Sequence, residues 1–219
     1  MGSFPESRRQ RAVRELNATA AQIEKAFAQA GILGLPVGAY EKLRVYLELL
    51  LRWNQRLSLT AVREQDQIIQ RHFVECVFVA QRLPPDIADL LDYGSGAGLP
   101  GIPIAICRPE ISVTLAEAHG KKASFLREAL RTLDLEGAVY DGRVEAMPER
   151  RFDAVTMRAV EKMDLAIPLA LQRVKRYLVL LTTERSGLAR GTALPGLEWL
   201  EPISIPNTKQ MVLEIGRRG

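Results

Sequence analysis

The chain has 219 residues, 47% of them apolar and 26% charged, with a net charge of +4 and a pI near 9.2. That is enough for one large domain, or one domain with a small appendage, and the balance excludes a disordered or fibrous chain. No apolar run approaches the ~20 residues of a membrane span. Cys76 and Cys107 are too far apart in sequence to suggest a disulfide frame or a zinc site. The start, with Arg8, Arg9 and Arg11, lacks the apolar core of a secretory signal. The expectation is a cytoplasmic protein without a metal.

Residues 1–85 read as helical. Val13, Leu16, Ala20, Ile23, Phe27 and Ala30 recur in steps of three and four until Gly31 and Gly34-Leu35-Pro36 end the pattern. Leu43, Tyr46, Leu47, Leu50 and Leu51 mark a second helix. Ile68, Ile69, Phe73, Val77 and Ala80 mark a third, which stops before Pro84-Pro85. Each helix has one apolar stripe that needs a partner, so this region reads as a helical cap on residues 86–219.

From residue 87 the period changes. Short runs at 87–92, 112–116, 138–140, 152–156 and 177–181, several apolar throughout, are typical of strands buried on both faces. Helical segments at 102–107, 121–133 and 160–173 fall between them, which implies a parallel sheet with right-handed crossovers. The tail differs. Runs at 199–205 and 210–215 are joined by Pro206-Asn207-Thr208-Lys209, too short for a helix, so they should pair antiparallel. The predicted fold is α/β: a Rossmann-like, mostly parallel seven-stranded sheet with a C-terminal antiparallel hairpin, the architecture of class I methyltransferases.

The first of these strands breaks into Asp92-Tyr93-Gly94-Ser95-Gly96-Ala97-Gly98-Leu99-Pro100-Gly101, four glycines in eight positions from Gly94. Bare backbone here lets a ligand approach the main chain and lets the turn take positive φ. Gly96-x-Gly98-x-x-Gly101 also satisfies the dinucleotide fingerprint. Pro100 and Pro103 argue against that, because they remove N–H groups a pyrophosphate would use and delay the helix to about residue 102. Asp92 with Gly94, Ser95, Gly96 and Gly98 suits S-adenosylmethionine, whose methionine carboxylate and amine need a turn and an acid. Glu117 closes the second strand, 23 residues after Gly94, where an acid can accept both ribose hydroxyls. It fits any adenosine ligand. Glu145 and Ala146 fall where a loop would close over an adenine ring.

Basic residues cluster in three places: Arg8, Arg9, Arg11 and Arg14; Lys121, Lys122 and Arg127; Arg173, Lys175 and Arg176. On one face they would form a phosphate-binding footprint; in different directions they are solvated helix faces, which would favour a smaller or protein acceptor.

Several motifs resemble the RsmG (GidB) family of bacterial methyltransferases. They are Asn54-x-x-Leu57-Ser58-Leu59-Thr60, Arg71-His72-Phe73-Val74-Glu75-Cys76 and the Gly94–Pro103 string. Lys121-Lys122-x-x-Phe125-Leu126, Arg143-Val144-Glu145 and Phe152-Asp153-x-Val155-x-x-Arg158-Ala159 follow in order, so the likeness runs from about residue 40 to 170. The resemblance implies S-adenosylmethionine-dependent methylation at N7 of one guanosine in 16S ribosomal RNA, near the decoding site. It also implies that Gly94, Leu99, Glu145, Ala146 and Arg158 line the cofactor site, with Glu117 and Ala118 nearby. The small subunit or its RNA is then the partner, and a monomer is expected.

The residues suit that chemistry. Guanine N7 carries a free lone pair, so no base has to remove a proton, and holding the reacting atoms in line does most of the work. After the fourth strand the chain reads Thr156-Met157-Arg158-Ala159, without the Asp/Asn-Pro-Pro-aromatic motif of exocyclic-amine methylases and without a catalytic cysteine. Arg158 has three readings: a donor to guanine O6, a clamp on the cofactor carboxylate, or a salt-bridged surface arginine. His72 lies one turn from Ile68 and Cys76, the place of a buried hydrogen-bonded histidine; the family pattern adds an RNA- or cofactor-facing role for Arg71 and His72. Lys121 and Lys122 are better placed for RNA phosphate.

The chain departs from the family pattern at three points. Tyr93 replaces a small apolar residue and brings a hydroxyl that needs a partner. Thr182-Thr183-Glu184-Arg185 stands where Lys-Gly is usual, and Lys209-Gln210 replaces an expected arginine. Four functions stay open in decreasing order: an rRNA N7-methyltransferase, a related small-molecule or protein methyltransferase, a non-catalytic ribosome-binding factor, and a dinucleotide oxidoreductase. For the last, about a hundred residues after the glycine loop leave little room for a substrate domain.

Overall fold

The computed structural model describes residues 8–160, 163–183, 194, 196–208 and 210–219, with side chains from residue 19 onward. Five strands run parallel: β1 (Asp89–Tyr93), β2 (Ser112–Glu117), β3 (Gly137–Asp141), β4 (Phe152–Arg158) and β5 (Val174–Thr183). Their order across the sheet is β3-β2-β1-β4-β5. The chain then reaches β6 (Leu197–Trp199), β7 (Ile203–Ser204) and β8 (Met211–Arg218). β8 pairs antiparallel with β5 on one edge and with both β6 and β7 on the other.

The sheet thus has eight strands, one more than the sequence predicts. The single run expected at 199–205 is cut in two around Pro202, which has no N–H to donate to a ladder. Trp199 faces Gly216 while Ile203 faces Leu213, so the register slips by one residue across the break, as at a bulge. The expected antiparallel tail is otherwise present.

Side chains alternate along the buried strands and divide the core in two. Leu90 and Val179 face a large cluster with Phe27, Leu43, Tyr46, Phe73, Ile102 and Phe125. Leu91, Val155, Met157 and Leu178 face a smaller one with Ile167. The large cluster joins α1 (Arg8–Gln29) and α2 (Ala39–Asn54) to α5 (Gly101–Cys107) and α6 (Gly120–Thr132); the smaller one is covered by α7 (Met163–Leu171). The N-terminal helices therefore share one core with the sheet.

The third predicted helix is a single run interrupted by a wide turn. α3 (Gln65–Ile68) passes into a π-helical turn at Ile69–Phe73 and then into α4 (Val74–Arg82). A π turn holds more residues than an α turn and so shifts the phase of everything beyond it. It carries Arg71 and His72. Helix α5 begins at Gly101, slightly earlier than the prolines suggest.

Candidate active site

Strand order reverses between β1 and β4, and ligands of open α/β sheets bind outside the carboxyl ends of strands at such a switch point. A cavity of about 850 Å³ lies there. Gly94, Ser95, Gly96 and Leu99 line it from the glycine loop, Glu117 from the end of β2 and Arg158 from the end of β4. Arg71, His72 and Glu75 face it from the helical region, and Lys122 from α6.

The loop holds its shape through its own backbone and two buried acids. Gly94, Gly96 and Gly98 have φ of 71°, 56° and 83°, the left-handed region that side chains disfavour. The Ser95 N–H donates to the Ala116 carbonyl (2.9 Å), and the Gly96 N–H donates to Glu117 Oε2 (2.8 Å). Glu117 Oε1 accepts the His119 N–H at 2.8 Å. From the cap, the Tyr46 hydroxyl donates to the Ala97 carbonyl, and its ring stacks on Phe73 with centroids 5.4 Å apart.

The four glycines have different tasks. A Cβ at Gly96 would have Gly94 O, 3.8 Å away, as its nearest neighbour, whereas one at Gly98 would stand 2.4 Å from Ile102 Cδ1. At Gly101 it would stand 2.3 Å from Leu115 Cδ2 and 2.7 Å from Asp92 Oδ2. Gly98 is thus bare so that α5 and α6 can close on the loop, Gly101 so that α5 can meet the sheet, and neither lines the cavity.

Asp92 lies beneath the loop, 1% exposed and outside the cavity lining. Its Oδ1 accepts the Thr156 hydroxyl (2.8 Å) and its Oδ2 the Gly101 N–H (3.2 Å), tying β1 to β4 and to the start of α5. Burial pushes its carboxyl up to about 6 from an ordinary 3.8, against the pull of those hydrogen bonds. A group raised on folding binds more protons when folded, so this contribution is fully present below about 4 and is lost as pH rises to about 6. Thermal melting should show it: the stability of the native chain relative to Asp92→Asn falls between pH 4 and pH 7. A constant difference across that range would remove Asp92 as the cause.

Arg158 is neither an exposed arginine nor a simple surface pair. Its Nη2 donates to Glu75 Oε2 at 2.6 Å, with both side chains largely buried, and to His72 Nδ1 at 2.8 Å. Arginine can only donate, so Nδ1 accepts and the imidazole proton sits on Nε2, which donates to Thr60 Oγ1 at 3.0 Å. Burial, then Arg158, pushes His72 down to about 4, and burial raises the Glu75 carboxyl while Arg158 pulls it back. Thr60 is itself held: Asn54 Oδ1 accepts the Leu59 and Thr60 N–H groups, and Asn54 Nδ2 donates to the Val62 carbonyl. The Arg158 Nε–H is buried with no hydrogen-bond partner among the described residues.

Several expected site residues are not on the wall of this cavity. Ala118, Lys121, Glu145 and Ala146 are exposed and outside the cavity lining. Tyr93 finds its partner in Glu145, donating to Oε1 at 3.1 Å; burial, then that carboxylate, pushes its hydroxyl up to about 12. Thr60 and Glu75 line the cavity without having been singled out as site residues; a charged Glu75 inside the apolar run 73–80 was the available signal.

Among the described residues, the second and third basic clusters do not form one face. Arg173 donates to the carbonyls of Val144, Met147 and Pro148; Lys175 pairs with Asp89 and Asp153, and Arg176 with Asp86. These lie at the amino ends of β1, β4 and β5, opposite the cavity. Arg127 pairs with Asp141. The side chains of Arg8, Arg9, Arg11 and Arg14, the segment 184–193 and Lys209 lie outside the described residues. Among the described residues no group of His, Cys, Asp or Glu could hold a metal ion, and no helix is long and apolar enough to cross a membrane.

An O-methyltransferase from Bacillus cereus, solved in complex with SAH, superposes with a TM-score of 0.56 at 15% identity, over 80% of this chain and 91% of that one. This likeness shows the fold. A ribosomal RNA small subunit methyltransferase G from Methylobacillus flagellatus is 43% identical over 150 residues, 68% of this chain and 72% of the relative. Its namesake from Neisseria meningitidis serogroup B is 39% identical over 140 residues, 62% of this chain and 67% of the relative. The sequence pattern described as rRNA small subunit methyltransferase G matches residues 39–187, and the chain belongs to that family, GidB (RsmG).

Proposed function

We propose that this chain transfers a methyl group from S-adenosylmethionine to N7 of a guanosine in 16S ribosomal RNA. The observation that carries the reading is a bare glycine loop facing Arg158, Arg71 and Lys122 across one cavity, in a chain of this family. The residues fit the cofactor. Gly94 and Gly96 leave the loop open, and each Glu117 oxygen keeps a lone pair for a ribose hydroxyl. Arg158 holds a buried unpartnered N–H that suits the carboxylate of the methionine tail. Glu145, Ala146 and Ala118 are assigned to the adenosine side on family likeness alone.

When bound, S-adenosylmethionine supplies a methyl group already activated on a sulfonium sulfur. The chain's own residues have to position and shield. Guanine N7 has a lone pair and no proton, so no side chain has to act as a base. The groups present agree with this: His72 is engaged at both nitrogens, Glu75 is engaged by Arg158, and Glu117 by two backbone N–H groups. Arg71 and Lys122 supply positive charge at the cavity wall for RNA phosphate. We also place the chain in the cytoplasm, as a monomer that needs no metal.

The test is methyl transfer from radiolabelled S-adenosylmethionine to small subunits, or to their RNA, lacking the modification. Label should appear in 16S RNA and be recovered as N7-methylguanosine after digestion. Label in protein, at another atom, or nowhere would overturn the reading. Gly96→Val provides a second check, because its side chain would enter the space left for the ligand and strain a positive φ. Calorimetry should register no binding of S-adenosylhomocysteine; retained affinity would mean that the cofactor lies elsewhere.

A further inference from the structure

We propose that His72 is a positioning residue, which orients Arg158 by accepting a hydrogen bond at Nδ1 while Thr60 and Asn54 fix its other nitrogen. The inference rests on Arg158 being part of the cofactor site. One stretch far from Arg158 in sequence, His72–Glu75, holds its guanidinium, and a second, Asn54–Val62, backs His72. Glu75 and His72 both take hydrogen bonds from Nη2, at 2.6 and 2.8 Å, and so set its plane from two directions. That leaves Nη1 and Nε–H without a partner among the described residues, in a side chain that lines the cavity.

The support behind His72 is continuous. Its Nε2–H is held by Thr60 Oγ1, which also accepts the Val62 N–H at 3.1 Å. The loop bearing Thr60 is pinned by three hydrogen bonds to the Asn54 amide. The π turn at Ile69–Phe73 makes this possible: Ile69 and Phe73 stay in the core while His72 reaches the cavity wall. A residue with a merely space-filling role would not need the proton on one particular nitrogen. Here the ring must be neutral with Nδ1 bare, because a proton there would face the Arg158 cation.

Two variants separate this from bulk. In His72→Asn the amide oxygen falls near the place of Nδ1 and still accepts from Arg158; in His72→Gln the amide reaches the place of Nε2 and leaves Arg158 Nη2 with Glu75 as its one acceptor. The measurements are the affinity for S-adenosylhomocysteine by calorimetry, KM and kcat for methyl transfer, and the melting temperature. His72→Gln should weaken S-adenosylhomocysteine about 10- to 100-fold, the usual loss for a hydrogen bond to a charged group. The same loss should appear in KM for S-adenosylmethionine, with kcat changed less. His72→Asn should keep affinity near that of the native chain, with both variants melting alike. In an Arg158→Lys background, His72→Gln should add little. Equal losses for Asn and Gln, or full effect of His72→Gln without Arg158, would overturn the inference. Calorimetry reads the cofactor site without RNA, so absence of RNA methylation by the native chain would instead overturn the proposed function.

Discussion

Arg158→Met is expected to destabilise the fold by about 3–5 kcal/mol and to abolish methyl transfer. The stability loss comes from Glu75, whose side chain is 7% exposed and would lose the cation that offsets its burial. Removing one half of a buried ion pair costs more than the pair contributes, because the remaining carboxylate stays desolvated. His72 Nδ1 also loses its donor. The double variant Arg158→Met with Glu75→Leu should recover most of the stability, since an apolar pair of similar volume needs no compensation. It should recover none of the activity. Denaturant titration and a methyl-transfer assay on the same preparations check both halves. Restored activity in the double variant would show that Arg158 serves the fold alone.

Gly101→Ala is expected to destabilise by about 1–3 kcal/mol, the usual range for overpacking a well-filled core. The new methyl would stand 2.3 Å from Leu115 Cδ2 and 2.7 Å from Asp92 Oδ2. Both neighbours are buried in the sheet, so neither can swing into solvent. The displaced Asp92 carboxylate would loosen its hold on the Gly101 N–H and on Thr156, which together anchor the start of α5. Gly31→Ala, where nothing lies within 4 Å but φ is positive, is the control for conformational strain without crowding. A Gly101→Ala chain that melts no lower than the native chain would refute the packing account.

Much of the fold is legible in the sequence because parallel strands buried on both faces leave short apolar runs that helical periodicity does not imitate. The glycine loop and the acid closing β2 are legible for a related reason: a backbone approached by a ligand needs particular residue types at fixed spacing. What the sequence hides is convergence. Nothing local joins Asn54, Thr60, His72, Glu75 and Arg158, since the bond from His72 to Arg158 spans 86 positions. The π turn is equally silent, because its apolar residues keep a near-helical rhythm. A cluster such as Arg173, Lys175 and Arg176 looks like a surface for phosphate until its partners at Asp86, Asp89 and Asp153 are seen. Asp92 is the opposite case. Its position beside the loop suggests a ligand contact, while its burial makes it the fastening beneath the loop.

The Tyr46 hydroxyl on the Ala97 carbonyl, with its ring against Phe73, has a thermodynamic consequence. These contacts couple the glycine loop to α2 and the π turn, so whatever tightens the loop is expected to slow the breathing of both. By reciprocity, loosening those helices weakens whatever the loop holds. Amide hydrogen exchange in α2 and at Ile69–Phe73 should therefore slow when S-adenosylhomocysteine is added, although few of those amides touch the cavity. The N-terminal helices are, in that sense, a remote register of the cofactor's presence.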